Sequence, residues 1–428
     1  MRWYDFWFLS ILTACGSADG DGRKTANLPS SGAGAPAATG GAANAAGGQS
    51  GSSSEAGGAA PAGGAASAGS SPSAGAAGAA MNAPIVSIGN CPSLPGSGWK
   101  EISPPGSKYA ETTVGMQAIV LRPDMPGVIY AGADSNGIYK SSDCGATWAK
   151  VNTGRNKDAM NSGRPWSFVI DPVVPDVMYV IQGYGAAGLW KTTNAGVDWD
   201  QVFSNEVLAE FTLSDSVMLD PSDHTHLVVQ SHGCTSKGVT CVAESTDSGA
   251  TWSLVKIPIE WSENSSTVIV DRTTWLHATM AAGLWRTTDS GRTWKNVAPA
   301  GAGGAICNYY QPYLFQDKDG AYYLSAWTAP SNQSMMRSKP NDTSSWSLMT
   351  FGNSPGGTTI FPTKEHVFWS HQWDLHYFMA SRNDLSQWTS FPTPPNVSNG
   401  GVYLAYDETH RVLYSSNFKA GLWQIMTD

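Results

Sequence analysis

The side chains with the most chemistry to offer are a few histidines, arginines, tyrosines and carboxylates in aromatic surroundings. Ser231-His232 and Ser370-His371 are two Ser-His pairs, and Tyr309-Tyr310 places two phenols side by side. Arg164 lies between Gly163 and Pro165-Trp166. β-Elimination from a uronate needs a cation on the sugar carboxylate, a base for the C5 proton and an acid for the leaving oxygen. Arg164 suits the first role, His232 or His371 the second, and Tyr309 or Tyr310 the third. Asp134, Trp166, Tyr184, Trp327 and Trp373 are the candidate sugar contacts, since aromatic rims stack on sugar rings. Hydrolysis would instead need two carboxylates flanking the scissile bond, and Asp134, Asp158, Glu206, Glu210 and Glu263 are the acids available. Each of these residues also has a structural use, as a hydrogen-bonded histidine or a packed aromatic. No Cys-x-x-Cys pair or His-Glu-x-x-His motif argues for a metal, and no cofactor is expected.

Positioning these groups falls to a repeat. Ser141 to Trp148 (SSDCGATW), Thr192 to Trp199 (TTNAGVDW), Ser245 to Trp252 (STDSGATW) and Thr287 to Trp294 (TTDSGRTW) align without gaps. Degenerate copies follow at Ser338–Trp346 and Ser381–Trp388. Strand-like stretches flank each copy, such as Gly188-Leu189-Trp190-Lys191 before and Trp294-Lys295-Asn296-Val297 after. The copy therefore reads as a hairpin turn. In it the carboxylate accepts backbone N–H bonds, the glycine supplies a left-handed step and the tryptophan packs the sheet.

The pattern resembles the Asp-box of sialidases, sortilin-type receptors, xyloglucanases and a photosystem assembly factor. That resemblance implies an all-β β-propeller of four-stranded antiparallel blades, with each box between a blade's third and fourth strands. Trp148, Trp199, Trp252, Trp294, Trp346 and Trp388 each mark the start of an outer strand, about one blade apart. The chain ends on a third strand, Gly421-Leu422-Trp423-Gln424-Ile425. Gly98-Trp99-Lys100-Glu101-Ile102 is expected to supply the missing fourth strand, giving seven blades and a closed ring.

In such a ring the boxes and first hairpins share one face. The second-strand ends and interblade connections lie on the other, around the central funnel. The candidate residues above fall there, with Arg155, Lys157 and Asp158 on one connection. The resemblance leaves two functions open: binding or degradation of polysaccharide, or a non-catalytic surface scaffold for an envelope protein. Several polysaccharide lyases share the seven-bladed architecture. Xyloglucanases carry two propellers, whereas this chain has room for one. Gly163-Arg164-Pro165-Trp166 is only a faint echo of the sialidase Arg-Ile-Pro signature, so sialidase activity is not expected.

The rest of the chain concerns delivery. Arg2, the apolar run Phe6-Trp7-Phe8-Leu9 with Ile11-Leu12, and Thr13-Ala14-Cys15 make residues 1–14 a secretory signal. Leu12-Thr13-Ala14-Cys15 resembles the bacterial lipobox, which implies acylation of Cys15 and, with Gly16 following, an outer-membrane or cell-surface lipoprotein. Residues 15–90 are rich in Gly, Ala and Ser and nearly free of aromatics, so they read as a flexible tether. Residues 91–428 hold nearly all of the 18 Trp and 15 Tyr, enough for a large core. A net charge of −9 with no basic run excludes nucleic acid as a partner, and a monomer is expected. Cys234 with Cys241, and Cys91 with Cys144, are the expected disulfides of an oxidising compartment. Cys307 is then left over.

Overall fold

A computed structural model describes residues 91, 98–107, 115–260, 265–279, 282–298, 314–326, 334–350, 359–370 and 375–427. Among these residues the strands form seven four-stranded antiparallel sheets, the blades of a propeller. The inner strands of blades 1 to 7 are Met116–Leu121, Pro165–Ile170, Ser214–Leu219, Ser266–Ile269, Leu314–Gln316, Thr359–Pro362 and Gly401–Asp407. Second strands such as Ile129–Ala133, Leu227–Ser231 and Trp275–Thr279 are buried at every position. They lie between neighbouring blades on both faces, so they are mostly apolar without alternation, and the polar residues they do carry, such as Gln230 and His277, are buried too. Outer strands such as Ser253–Ile257 expose part of their length and carry the charged residues.

The ring closes as expected. Lys100–Glu101 pairs antiparallel with the C-terminal strand Gly421–Met426, with Lys100 opposite Gln424. Trp99 donates its indole N–H to the carbonyl of Pro392 and packs 4.9 Å from the ring of Tyr377. The last blade therefore ends in a two-residue outer strand, and the long strand Gly421–Met426 is paired on both sides.

The four repeat turns hold themselves together. In the first, Asp143 accepts from the Ser141 hydroxyl, the Thr147 N–H and the Thr147 hydroxyl. Asp247 and Asp289 repeat all three bonds. The second turn exchanges roles: Asn194 accepts from the Asp198 N–H and donates its amide to the Asp198 carboxylate. Bonds from the threonine side chain, then its backbone N–H, then the turn's first hydroxyl hold Asp247 and Asp289 down at about 2, below the ordinary 3.8.

Each repeat turn also clasps two neighbours. Cys144, Ala195, Ser248 and Ser290 donate backbone N–H bonds to the first hairpin of their own blade, at Gly127, Asp176, Thr225 and Thr273. The turn glycine backs onto the outer strand of the preceding blade. A β-carbon on Gly291 would lie 2.3 Å from Val255 Cγ1, at φ +81°, so only glycine fits. Trp148 and Trp252 donate indole N–H bonds to the carbonyls of Ile102, just after the preceding outer strand, and Val202, within it.

Blades 5 and 6 depart from the expected pattern. Trp346 and Trp388 lie inside the outer strands Asp342–Thr350 and Asp384–Phe391 rather than at their starts. Without the turn glycine, Lys339 pairs directly with Asp342 and Ser381 with Asp384, so the hairpins are shorter and zip further. Side-chain contacts around the repeat-turn side link successive blades, among them Arg122–Asp176, His224–Asp171, Arg272–Asp223 and Arg382–Asp317. Both expected disulfides, Cys91–Cys144 and Cys234–Cys241, are formed. No helix among the described residues is long and apolar enough to cross a membrane.

Candidate functional site

Opposite the repeat turns, the inner strands begin and the second strands end. The first rungs there are irregular in four contiguous blades. Pairing shifts between Met116 and Ile119, between Pro165 and Ser167, between Ser214 and Ser216, and between Gly401 and Tyr403. Such bulges re-aim the side chain of the extra residue. In blade 2 that residue is Trp166, and in blade 3 it is Asp215.

Two polar constellations result. In the first, Asp134 follows the second strand of blade 1, its N–H bonded to the Gly115 carbonyl. Asp134 is 3% exposed, and its carboxylate lies 3.2 Å from Arg164 Nε, at the start of blade 2. The Arg164 guanidinium sits 4.9 Å from the centre of the Tyr184 ring, a cation–π distance. Tyr184, 37% exposed, stands edge-on to Trp166 at 5.1 Å. Trp166 itself is buried, and Gly183 makes room for it, since a β-carbon there would come within 2.4 Å of the indole. Trp166 thus supports Tyr184 from beneath rather than offering an open face.

In the second constellation, His232 follows the second strand of blade 3 and its N–H bonds to the Leu213 carbonyl. Its Nδ1 lies 2.9 Å from Asp215 Oδ1. The carboxylate is 2% exposed, and the imidazole is 31% exposed. A carboxylate on Nδ1 fixes the ring's orientation.

Beneath this face, the Tyr403 hydroxyl of blade 7 donates to the Trp166 carbonyl at 2.7 Å. Farther along the axis, inner-strand residues of all seven blades line a cavity of about 470 Å³, mostly with aliphatic side chains such as Leu121, Ile170 and Leu219.

Asp134, Arg164, Trp166, Tyr184 and His232 are therefore gathered on one face of blades 1 to 3. His371, Tyr309, Tyr310, Trp327 and Trp373 lie outside the described residues, as do Glu263 and Cys307. The structure does not bring Arg155 to this face: its guanidinium binds Asp200 in the outer strand of blade 2. Glu210 is engaged by Lys256 and Ser236. Asp215 was not among the sequence candidates. Its only signal is an acid in the second position of an inner strand, the position Trp166 occupies one blade earlier.

No family model matches the chain. It is 27% identical to the xyloglucanase of Hypocrea jecorina over a region covering 43% of this chain and 26% of that protein. The chain therefore spans about a quarter of the length of the curated relative it matches. Among solved structures, YCF48 bound to D1 peptide superposes with a TM-score of 0.54 at 14% identity, over 80% of this chain and all of that one. Virginiamycin B lyase from Staphylococcus aureus also gives 0.54, at 11% identity, over 77% of this chain and 99% of that one. At these identities the structural likeness is one of fold, and that fold is common to a peptide-bound protein and a lyase.

Proposed function

We propose that this protein is a glycan-acting propeller of the cell envelope that cleaves polysaccharide as a glycoside hydrolase. The observation that carries the reading is the pair of buried carboxylates, Asp134 and Asp215, each facing its own basic partner on one face of blades 1 to 3. Similarity to a xyloglucanase supports the same reaction class. The partners suggest how the work divides. A guanidinium has no proton to give, so Asp134 beside Arg164 serves as nucleophile or base. The Asp215–His232 pair carries a transferable proton and serves the leaving oxygen. Tyr184 offers the exposed ring for a sugar face.

A uronate lyase fits less well. Its cation must meet the substrate carboxylate, but Arg164 already faces the buried Asp134, and leaving it would strand a buried charge. Residues 1–15, with their lipobox-like end, support surface anchoring through Cys15. Cys91 is bonded to Cys144 in a repeat turn, so the chain joins the ring on the side away from the candidate site.

The test is to incubate the full-length protein with neutral and uronate polysaccharides, following both reducing ends and unsaturated uronate. A hydrolase releases reducing ends without unsaturated product, and Asp134→Asn and Asp215→Asn each lower the rate by about 10²–10⁴-fold. Unsaturated product would identify a lyase. Binding to a glycan without any product would leave a non-catalytic module.

A further inference from the structure

The staple that closes the ring has a feature the other disulfide lacks. Cys91 precedes the closing strand, Cys144 sits in the repeat turn of blade 1, and His410 lies in the first hairpin of blade 7. One ligand atom from each, two sulfurs and an imidazole nitrogen, all lie within 4.8 Å of one another. Among the described residues, this is the one such group of histidine, cysteine and carboxylate side chains.

The surroundings are those of a metal ligand. His410 Nδ1 lies 2.8 Å from Asp407 Oδ2, and the same oxygen accepts the Gly127 N–H at 2.7 Å. A proton on Nδ1 leaves Nε2 with its lone pair, the carboxylate–histidine arrangement that orients zinc ligands. Asp407 is itself fixed by the N–H groups of Thr409 and His410. Gly127 keeps the centre open: a β-carbon there would lie 3.1 Å from Cys144 Sγ, 3.4 Å from Cys91 Sγ and 3.6 Å from the His410 ring.

We propose that Cys91, Cys144 and His410 form a zinc site that is the reduced alternative to the Cys91–Cys144 disulfide. Reduction by a dithiol or phosphine breaks the S–S bond with two electrons and two protons, and Zn²⁺ then displaces both thiol protons. The sulfurs must part only from roughly 2 Å to the roughly 3.8 Å of two thiolates on tetrahedral zinc. Three protein ligands leave the fourth position to water. The ring would then stay stapled between its N-terminal entry, blade 1 and blade 7 in either redox state.

The experiment uses full-length protein in a Cys15→Ser, Cys307→Ser background, reduced anaerobically with a phosphine. It is titrated with Zn²⁺ and, in parallel, Co²⁺. The expected result is one equivalent bound per chain, with thiolate-to-cobalt charge transfer and the d–d bands of tetrahedral cobalt. Cys144→Ser and Cys91→Ser abolish it, and the second lies ahead of the first strand, where folding is least at risk. His410→Ala shifts the cobalt spectrum and weakens binding, and Asp407→Asn lowers affinity by about 10–100-fold. A Cys234→Ser, Cys241→Ser double variant binds as before. Reduced protein that holds zinc no more tightly than Cys91→Ser overturns the proposal. So does a His410→Ala variant with unchanged spectrum and affinity.

Discussion

On one face of the ring, Asp143, Asp247 and Asp289 direct their carboxylates to groups no more than four residues away. On the other, Asp134 and Asp215 meet Arg164 from the next blade and His232 from the neighbouring strand. The repeat-turn carboxylates are solvated and satisfied locally, whereas those opposite are buried and each meets a basic side chain from another segment. Local satisfaction makes a hairpin that forms the same way in every blade that carries the motif. Long-range pairing makes a site that appears once, where particular blades meet. The first arrangement serves stability, and the second is the one on which the proposed function rests.

That contrast can be broken most forcefully at Trp199, whose ring is fully buried and whose indole N–H bonds to the Gly196 carbonyl. Trp199→Ala is expected to cost about 3–5 kcal/mol of stability, read from the urea midpoint. Glycan affinity of the protein that remains folded should stay unchanged. A matching loss of affinity would mean that the two faces are coupled through blade 2. The converse probe is Tyr184→Ala. It removes a half-exposed ring and its contact with Arg164, costing less than about 1 kcal/mol of stability. Glycan binding measured by calorimetry should nonetheless weaken. Unaltered binding would move the sugar platform elsewhere on this face.

The smallest effect concerns acid. Hydrogen bonds from the Thr251 and Thr293 side chains and backbones, then from Ser245 and Thr287, hold Asp247 and Asp289 at about 2 in the folded protein. Because the folded value is depressed, the stabilisation is full above the ordinary carboxylate range. It is lost as pH falls through about 2. An Asp247→Asn, Asp289→Asn double variant should therefore lose less stability than the parent over that acid interval, by urea titration at stepped pH. Equal acid sensitivity would show that these carboxylates do not govern the acid limb.

The turns and the ring closure were legible because their causes are local or additive. A carboxylate, a left-handed glycine and a tryptophan at fixed offsets determine a hairpin regardless of its neighbours. Counting tryptophans and leaving the chain one outer strand short placed Lys100–Glu101 against Gly421–Met426. The same reasoning overreached in blades 5 and 6, where the missing glycine let the hairpins close early and drew Trp346 and Trp388 inside their strands.

The candidate site was legible only in part. Sequence order gave the strand ends that carry Asp134, Tyr184 and His232, since a strand's end follows from its own pattern. It could not give the Arg164–Asp134 pair, which depends on two blades packing side by side. Nor could it show that Arg155 turns to Asp200, or that Asp215 is the extra residue of a bulge and faces His232. Bulge position and interblade pairing depend on register and on contacts between segments far apart in the chain. Those are decided only when the seven blades close on one another.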